Sequence, residues 1–192
     1  MTWWTKPRTK AFPPAIRQAG LPLPAKSVER LTPASSGLHL SRMKHAVAPA
    51  NVADLPSWLE IARQVEPLFG AMAMFDVTLR AKITQGEALC VRDAGGRVIG
   101  GLLLGGEQPD LWIRWLAVRR AARGRGIGSA LVSEAIRRLD AKGSLSLITF
   151  GADNFEGAPA RRLYVRLGFL PGPMQPRGPE GGTRQLFRLV RM

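Results

Sequence analysis

Residues 115–132, near the middle of the chain, constrain the possible fold more than any other segment of the sequence. An apolar run there ends in a turn rich in glycine and arginine, and an amphipathic pattern follows. This succession predicts a buried strand, a tight turn and the N-terminus of a helix. Amides at a helix N-terminus lack internal acceptors and lie at the positive end of the helix dipole. The turn is therefore a candidate phosphate site.

The composition of this turn also suits an anion. Gly124, Gly126 and Gly128 let main-chain N–H groups approach a ligand without a Cβ in the way. Arginines around them, Arg119, Arg120, Arg123 and Arg125, carry planar donor forks that match phosphate oxygens. A P-loop would need a lysine that this turn lacks, and a dinucleotide fingerprint would need a glycine where Leu131 stands. The pattern thus favours phosphate binding and argues against both of these nucleotide-binding classes.

Composition limits the class of protein further. The 192 residues include 28 basic and 14 acidic side chains, and the formal net charge of +14 favours an anionic partner. Nucleic acid, an anionic membrane surface and a phosphorylated small molecule all qualify. The single cysteine excludes an internal disulfide and a cysteine-rich zinc site, so no metal is expected. No apolar run reaches the roughly 18 residues of a membrane span.

The pattern of the chain changes near residue 43. Residues 1–42 are basic, almost free of acids and interrupted by prolines, among them Pro13, Pro14, Pro22, Pro24 and Pro33. We interpret them as a flexible basic tail; a transit peptide is the alternative, against which the prolines argue. Residues 43–192 are predicted to form one α/β domain. Its predicted element order is β-α-α-β-β-β-α-β-α-β-β.

Individual residues carry local predictions. Asp54 directly precedes an amphipathic stretch and is predicted to cap that helix. Trp112 and Trp115 are three residues apart, so on a regular strand they are expected on opposite faces of the sheet. His39 and His45 flank the start of the domain and are expected to be inert.

The glycine turn resembles a motif of a known family. The pattern Arg123-x-x-Gly126-x-Gly128, after a strand that ends Ala117-Val118, is similar to the acyl-CoA-binding motif of the GNAT superfamily of N-acyltransferases. The element order is also that of the superfamily. The resemblance implies a single domain with a mixed, mostly antiparallel sheet, flanking helices and splayed central strands.

A second motif lies downstream. Asn154 is followed by residues 160–169, in which Tyr164 precedes a closing Gly168-Phe169. This segment resembles the superfamily's second motif, a short helix with a tyrosine after a strand. Two motifs in the same order along the chain make the resemblance far more specific than one glycine turn.

The resemblance implies a site for acetyl-CoA as co-substrate, without a metal. Amides of residues 123–128 would hold the pyrophosphate, the backbone at the end of the preceding strand would pair with the pantetheine arm, and Tyr164 would donate a proton to the departing thiolate. The implied cofactor-binding residues are Ala117, Val118, Arg123, Gly124, Arg125, Gly126, Ile127, Gly128, Ser129 and Asn154.

The implied reaction is transfer of an acetyl group to a primary amine of a small molecule or peptide, by direct attack in a ternary complex. The general base stays open, because residues 111–118 contain no carboxylate and the nearest acids are Glu66, Glu107 and Asp110. A basic nucleic-acid-binding protein and a catalytically idle CoA-binding protein are the alternatives; the chain has no recognisable nucleic-acid motif. A cytoplasmic bacterial enzyme is expected, and a homodimer, the acyl chain length and the acceptor stay open.

Overall fold

Seven strands pair into one mixed sheet in the computed structural model, which describes residues 45–191. The strands are β1 (Val47–Pro49), β2 (Ala88–Arg92), β3 (Val98–Glu107), β4 (Asp110–Val118), β5 (Ser144–Phe150), β6 (Leu170–Gln175) and β7 (Arg184–Val190). The helices are α1 (Leu55–Phe69), α2 (Phe75–Thr84), α3 (Ile127–Arg137) and α4 (Ala158–Arg166). The predicted α/β class and element order are confirmed. The tail predicted at residues 1–42, with His39, lies outside the described residues.

The sheet is divided at its centre. The strand order is β1-β2-β3-β4-β5-β7-β6, and every neighbouring pair is antiparallel except β4 and β5. The parallel pairing runs only from Asp110 opposite Ser144 to Ile113 opposite Leu147. Both strands continue beyond these residues without pairing to each other. The predicted splay of the central strands is thus present, and we call the open part, residues 114–118 and 148–150, the fork.

Two adjacent glycines of β3 show how the helices cover the sheet. A Cβ at Gly100 would lie 2.5 Å from Ile127 of α3, and one at Gly101 would lie 2.5 Å from Trp58 of α1. Since successive residues of a strand point to opposite faces, α3 and α1 lie on opposite sides of the sheet. The α1/α2 face also holds Phe75, whose ring packs 5.2 Å from that of Trp115.

The α3/α4 face carries the main hydrophobic core. Its buried members from the helices and the sheet include Leu102, Ile127, Leu131, Leu145, Tyr164, Phe169 and Phe187. The apolar stripe of α3 and the single tyrosine of α4 therefore pack against β3, β5 and β7 on one side. The start of α3 and the middle of α4 are held close to the sheet by this core.

A β-bulge interrupts β4 at the beginning of the fork. Leu103 pairs with Trp115 and Leu104 pairs with Ile113, so Arg114 has no partner of its own in the ladder. The extra residue reverses the alternation of side chains along β4. Trp112, opposite Gly105, therefore lies on the same α1/α2 face as Trp115. The prediction that these tryptophans lie on opposite faces is wrong because it assumed a regular strand.

Asp54 has a different role from the predicted one. It directly precedes α1, but its side chain makes no capping hydrogen bond to that helix. The carboxylate is 4% exposed and accepts hydrogen bonds from Arg92, at 2.7 Å from Nε and 2.5 Å from Nη2. The amide of Asn51 donates a third, at 2.7 Å. Asp54 thus joins the start of α1 to the end of β2.

We expect Asp54→Asn to reduce the free energy of unfolding at neutral pH by about 2–4 kcal/mol, because it leaves Arg92 without its anion. Burial raises the pKa of Asp54, but the hydrogen bonds from Arg92 and Asn51 and the charge of Arg92 hold that pKa below its usual value. The stabilisation is therefore present above the unfolded-state pKa and is lost as the pH falls through the lower folded-state pKa. Urea unfolding of both proteins at several pH values measures it.

Asp140→Asn is the matched control, since Asp140 is exposed and its carboxylate makes no hydrogen bond or ion pair within residues 45–191. It should leave the unfolding free energy unchanged. A constant gap between wild type and Asp54→Asn down to strongly acidic pH would contradict the assignment of the effect to the ion pair.

Candidate functional site

The glycine turn connects β4 to α3 at the open end of the fork. Gly124 and Gly126 have φ values of +76° and +85°, in the left-handed region that glycine adopts without strain. A Cβ at either position would meet no atom of residues 45–191 within 4 Å. Gly126 is the N-cap of α3, and no side chain in this part of the chain accepts from the first amides of that helix. The turn therefore presents unpaired N–H groups to open space, as an anion site requires.

The end of β4 supplies a second row of backbone groups. Successive residues of a strand direct their N–H and C=O groups to alternate sides, so part of residues 114–118 directs them into the fork. Ala117 and Val118, predicted to pair with a pantetheine arm, lie in this segment. The carbonyl of Val118 accepts a hydrogen bond of 3.1 Å from Nε of Arg123, which ties the turn back to the strand.

Contacts at the start of α3 bring α4 to the same place. Ile127 is buried in the core, and a Cβ at Gly128 would lie 3.2 Å from Cδ2 of Leu163 and 3.9 Å from Cγ2 of Val118. The small residue at 128 thus lets α4 approach the N-terminus of α3. The predicted turn residues 123–129 and the predicted tyrosine helix are neighbours in the structure.

Tyr164 lies beside the apex of the fork, on the α3/α4 face. Its ring is 5.6 Å from that of Phe169 and 6.2 Å from that of Phe187, measured between centroids. Phe187 pairs with Leu147, the last β5 residue joined to β4. The side chain is buried, and its hydroxyl makes no hydrogen bond within residues 45–191. Burial raises the pKa of Tyr164 above its usual value, so the phenol keeps its proton at neutral pH.

Asn154 occupies the loop that leads into α4. Its side-chain oxygen accepts a hydrogen bond of 2.9 Å from the amide of Gly157, the residue before α4. This contact fixes the entry into the tyrosine helix. A contact of Asn154 with a cofactor stays a prediction.

His45 is the site residue that sequence reasoning missed. Its Nε2 lies 2.7 Å from the carbonyl oxygen of Arg125, in the middle of the glycine turn. The imidazole thus donates to a turn carbonyl and fixes the turn from the side of β1. The two residues are 80 positions apart in the sequence, so no local pattern indicates the contact.

The resemblance implies that this turn binds acetyl-CoA, and on that expectation His45→Ala should weaken acetyl-CoA binding about 3- to 10-fold, since one hydrogen bond that orders the turn is lost. His45→Gln retains a side-chain donor and should recover part of the affinity. Titration calorimetry with acetyl-CoA measures both variants against the wild type. Equal dissociation constants for His45→Ala and the wild type would contradict a role for this contact.

The three candidate bases lie in two places: Glu107 and Asp110 at the paired end of β3 and β4, and Glu66 on α1. Asp110 begins the paired part of β4, bonds to the hydroxyl of Ser144 and forms a 3.2 Å ion pair with Arg188. Glu107 lies opposite Asp110 at the end of β3. Glu66 lines a shallow pocket of about 190 Å³ between α1 and α2. Within the described residues, the open part of the fork therefore contains no carboxylate of its own strands.

Residues 45–191 contain neither a cluster of metal-binding side chains nor a helix that could span a membrane. No group of three or more histidine, cysteine, aspartate or glutamate side chains in this part of the chain is arranged to hold a metal ion. None of the helices described there has the length and hydrophobicity that a bilayer crossing requires.

Comparisons with known proteins agree with this geometry. Residues 55–169 match the family model described as "Acetyltransferase (GNAT) family". A ribosomal-protein-S18-alanine N-acetyltransferase from Escherichia coli is similar in structure, with a TM-score of 0.61, 18% identity and coverage of 77% of this chain and 94% of that one. No curated protein matches the sequence significantly.

Two further solved structures have the same fold. A phosphinothricin acetyltransferase from Sinorhizobium meliloti, solved in complex with acetyl-CoA, gives a TM-score of 0.61 at 22% identity, over 78% of this chain and 89% of that one. A histone acetyltransferase HPA2 and related acetyltransferase from Corynebacterium glutamicum gives 0.57 at 22% identity, over 78% and 98%. At these identities the structural similarity establishes the shared fold.

Proposed function

The chain belongs to the GNAT family of acetyltransferases, and from that premise we propose that it transfers an acetyl group from acetyl-CoA to a primary amine. Members of this family are in general acetyl-CoA-dependent N-acetyltransferases. The observation that carries the proposal is the glycine turn at the mouth of the fork, with unpaired amides and open space above them.

The glycine turn suits the diphosphate of acetyl-CoA, and the fork suits its pantetheine arm. The pyrophosphate would accept hydrogen bonds from amides of residues 124–128 and not from the predicted donor, the amide of Arg123, because that amide already donates to the carbonyl of Arg120. Arg125 and the remaining side-chain donors of Arg123 would supply positive charge. The pantetheine arm would lie in the fork beside Ala117 and Val118. Ile127, Gly128, Ser129 and Asn154 complete the proposed binding residues. This arrangement needs no metal.

Tyr164 is the proposed general acid. When bound, acetyl-CoA supplies an activated acyl group whose thiolate leaves as the new amide forms. The buried phenol keeps its proton at neutral pH, and no group within residues 45–191 accepts it, so it is free to donate to the leaving sulfur. Backbone amides directed into the fork would stabilise the oxyanion of the tetrahedral intermediate.

The attacking amine must be neutral. Because no carboxylate of β4 or β5 lies in the open part of the fork, the proton would leave through water to a distant acid or be lost before binding. Glu66 is the candidate acid on the side of the acceptor, since Glu107 and Asp110 lie at the far, paired end of β4. The proposed mechanism is direct attack without a covalent enzyme intermediate.

Two measurements test the function. Acetyl-CoA should raise the melting temperature of the full chain, as any ligand selective for the folded state does. CoA release, followed with a thiol reagent across polyamines, aminoglycosides, amino acids and peptides, should then identify an acceptor. A protein that is folded yet unaffected by acetyl-CoA, CoA and longer acyl-CoA esters would refute the proposal.

A further inference from the structure

Arg114 lies at the point where the central strands part. It directly follows Ile113, the last residue of β4 that pairs with β5, and it is the unpaired residue of the β-bulge. Its side chain extends on the α1/α2 face, because a Cβ at Gly105 would lie 3.0 Å from its Nε and 3.3 Å from Nζ of Lys82 in α2. Gly105 leaves the space that the guanidinium occupies.

The guanidinium of Arg114 is half-buried and has no anion of its own. Within residues 45–191 it makes no hydrogen bond and no ion pair, and its Cζ lies 5.1 Å from the centroid of the Trp112 ring. Among the described residues, the carboxylate near Arg114 is that of Glu87, which is already bonded to Lys82. Two cations thus share one carboxylate, which leaves one positive charge unbalanced at the fork.

A second donor on the same face is also unused. Trp115, adjacent to Arg114, is 3% exposed, and its indole N–H has no acceptor within the described residues. Buried donors without acceptors cost free energy, about 1–3 kcal/mol each. A ligand that brings an acceptor group to this face would offset that cost.

The position of Arg114 relative to Tyr164 assigns it to the acceptor side. Leu147 pairs with Ile113 on one side and with Phe187 on the other, and Tyr164 packs on Phe187. Tyr164 and Arg114 therefore flank the same point of the sheet from opposite faces. The glycine turn and the proposed general acid, Tyr164, lie on the α3/α4 face. The acceptor amine therefore has to reach the thioester of acetyl-CoA from the α1/α2 face, where Arg114 lies.

We propose that the acceptor is an amino acid, and that Arg114 binds its carboxylate while the amine is presented to the thioester. This inference rests on the proposed acetyl transfer and names the acceptor class for the same site. An arginine fork held flat against Trp112 matches a carboxylate with two donors. An amine with a second positive charge in place of the carboxylate is repelled by the unbalanced positive charge of Arg114.

Matched acceptors test the proposal. Each of the common amino acids is compared with its α-carboxamide, which has nearly the same shape and lacks the negative charge. For the best acceptor we expect kcat/KM to be at least about 10-fold higher for the carboxylate form, the range of one charged hydrogen bond. The amide's amine has the lower pKa, so chemistry without recognition would give the opposite order.

Variants then separate Arg114 from the rest of the site. Arg114→Gln should bring the ratio of the two forms to about 1, Arg114→Lys should keep part of it, and Arg114→Glu should reverse it, while the melting-temperature rise with acetyl-CoA persists in all three. Arg162→Gln is the control, because it removes one exposed positive charge from α4 and should leave the ratio unchanged.

The failures of the two proposals differ. Preference for the amides, a ratio that survives Arg114→Gln, or acetyl-CoA binding without transfer to any amino acid would overturn the acceptor class and leave the donor site standing. Absence of acetyl-CoA binding in the wild type would overturn acetyl transfer itself and the acceptor class with it.

Discussion

Replacing Gly126 with aspartate is expected to abolish the rise in melting temperature that acetyl-CoA gives the wild-type protein. At a concentration 100 times the dissociation constant, a ligand selective for the folded state adds about 2.7 kcal/mol, or about 5–10 °C for a domain of this size. The side chain at position 126 would point into the open space in front of α3, where it would exclude the diphosphate and repel it. Differential scanning fluorimetry with and without acetyl-CoA measures the effect.

The substitution is also expected to lower the stability of the protein itself, because φ at Gly126 is +85°, in a region where a residue with a side chain is strained. Gly86→Asp is the matched control. The φ of Gly86 is +69°, and a Cβ there would meet no atom of the described residues within 4 Å. Gly86 lies after α2, next to Glu87, whose carbonyl accepts a hydrogen bond from the amide of Leu104 in β3. Both variants should melt somewhat below the wild type. Only Gly126→Asp should lose the response to acetyl-CoA, and a full response in that variant would show that the diphosphate is bound elsewhere.

Tyr164→Phe is expected to lower kcat about 100-fold and to leave the acetyl-CoA response unchanged. Loss of a general acid typically costs a factor of about 10² to 10⁴. The ring contacts with Phe169 and Phe187 are kept, and the hydroxyl makes no hydrogen bond within residues 45–191 that the fold would miss. Initial rates of CoA release at saturating donor and acceptor measure the change.

The pH profile gives an independent check on this acid. Burial raises the pKa of Tyr164 above the ordinary value of 10.0, so its proton stays available through the alkaline range. The wild-type kcat should therefore not decline as the pH approaches that ordinary value. A decline there in the wild type but not in Tyr164→Phe would mean that the phenol ionises earlier than its burial implies, and an unchanged kcat in the variant would remove Tyr164 from the mechanism.

Most of the fold could be predicted because its elements are encoded locally. Residues 93–96, Asp-Ala-Gly-Gly, stand between two apolar runs, a pattern typical of a β-hairpin. In the structure they form the turn between β2 and β3, and Asp93 accepts hydrogen bonds from the amides of Gly95 and Arg97. The stripe of α3 and the glycine turn before it are likewise read from neighbouring residues. Periodicity and turn chemistry act over a few positions, and the sequence contains them directly.

The features that sequence reasoning missed depend on distant residues. Asp54 is a residue type that commonly caps helices, but its side chain forms a buried ion pair with Arg92, which is 38 positions away in the sequence. No glycine or proline near Arg114 in β4 indicates a bulge there. The bulge follows from the way in which β4 pairs with β3. His45 reaches the glycine turn only because β1 and α3 come together in the folded chain.

The narrow seam between β4 and β5 has a mechanical consequence. Four ladder rungs hold the two parts of the sheet together at its centre, whereas β3 and β4 are joined along almost their whole length. An extended molecule that hydrogen-bonded to the unpaired segments of both strands would add pairing across this seam and should reduce the motion of the two parts relative to each other. Binding of such a molecule in the fork would then change the rigidity of the sheet as well as supply a reactant.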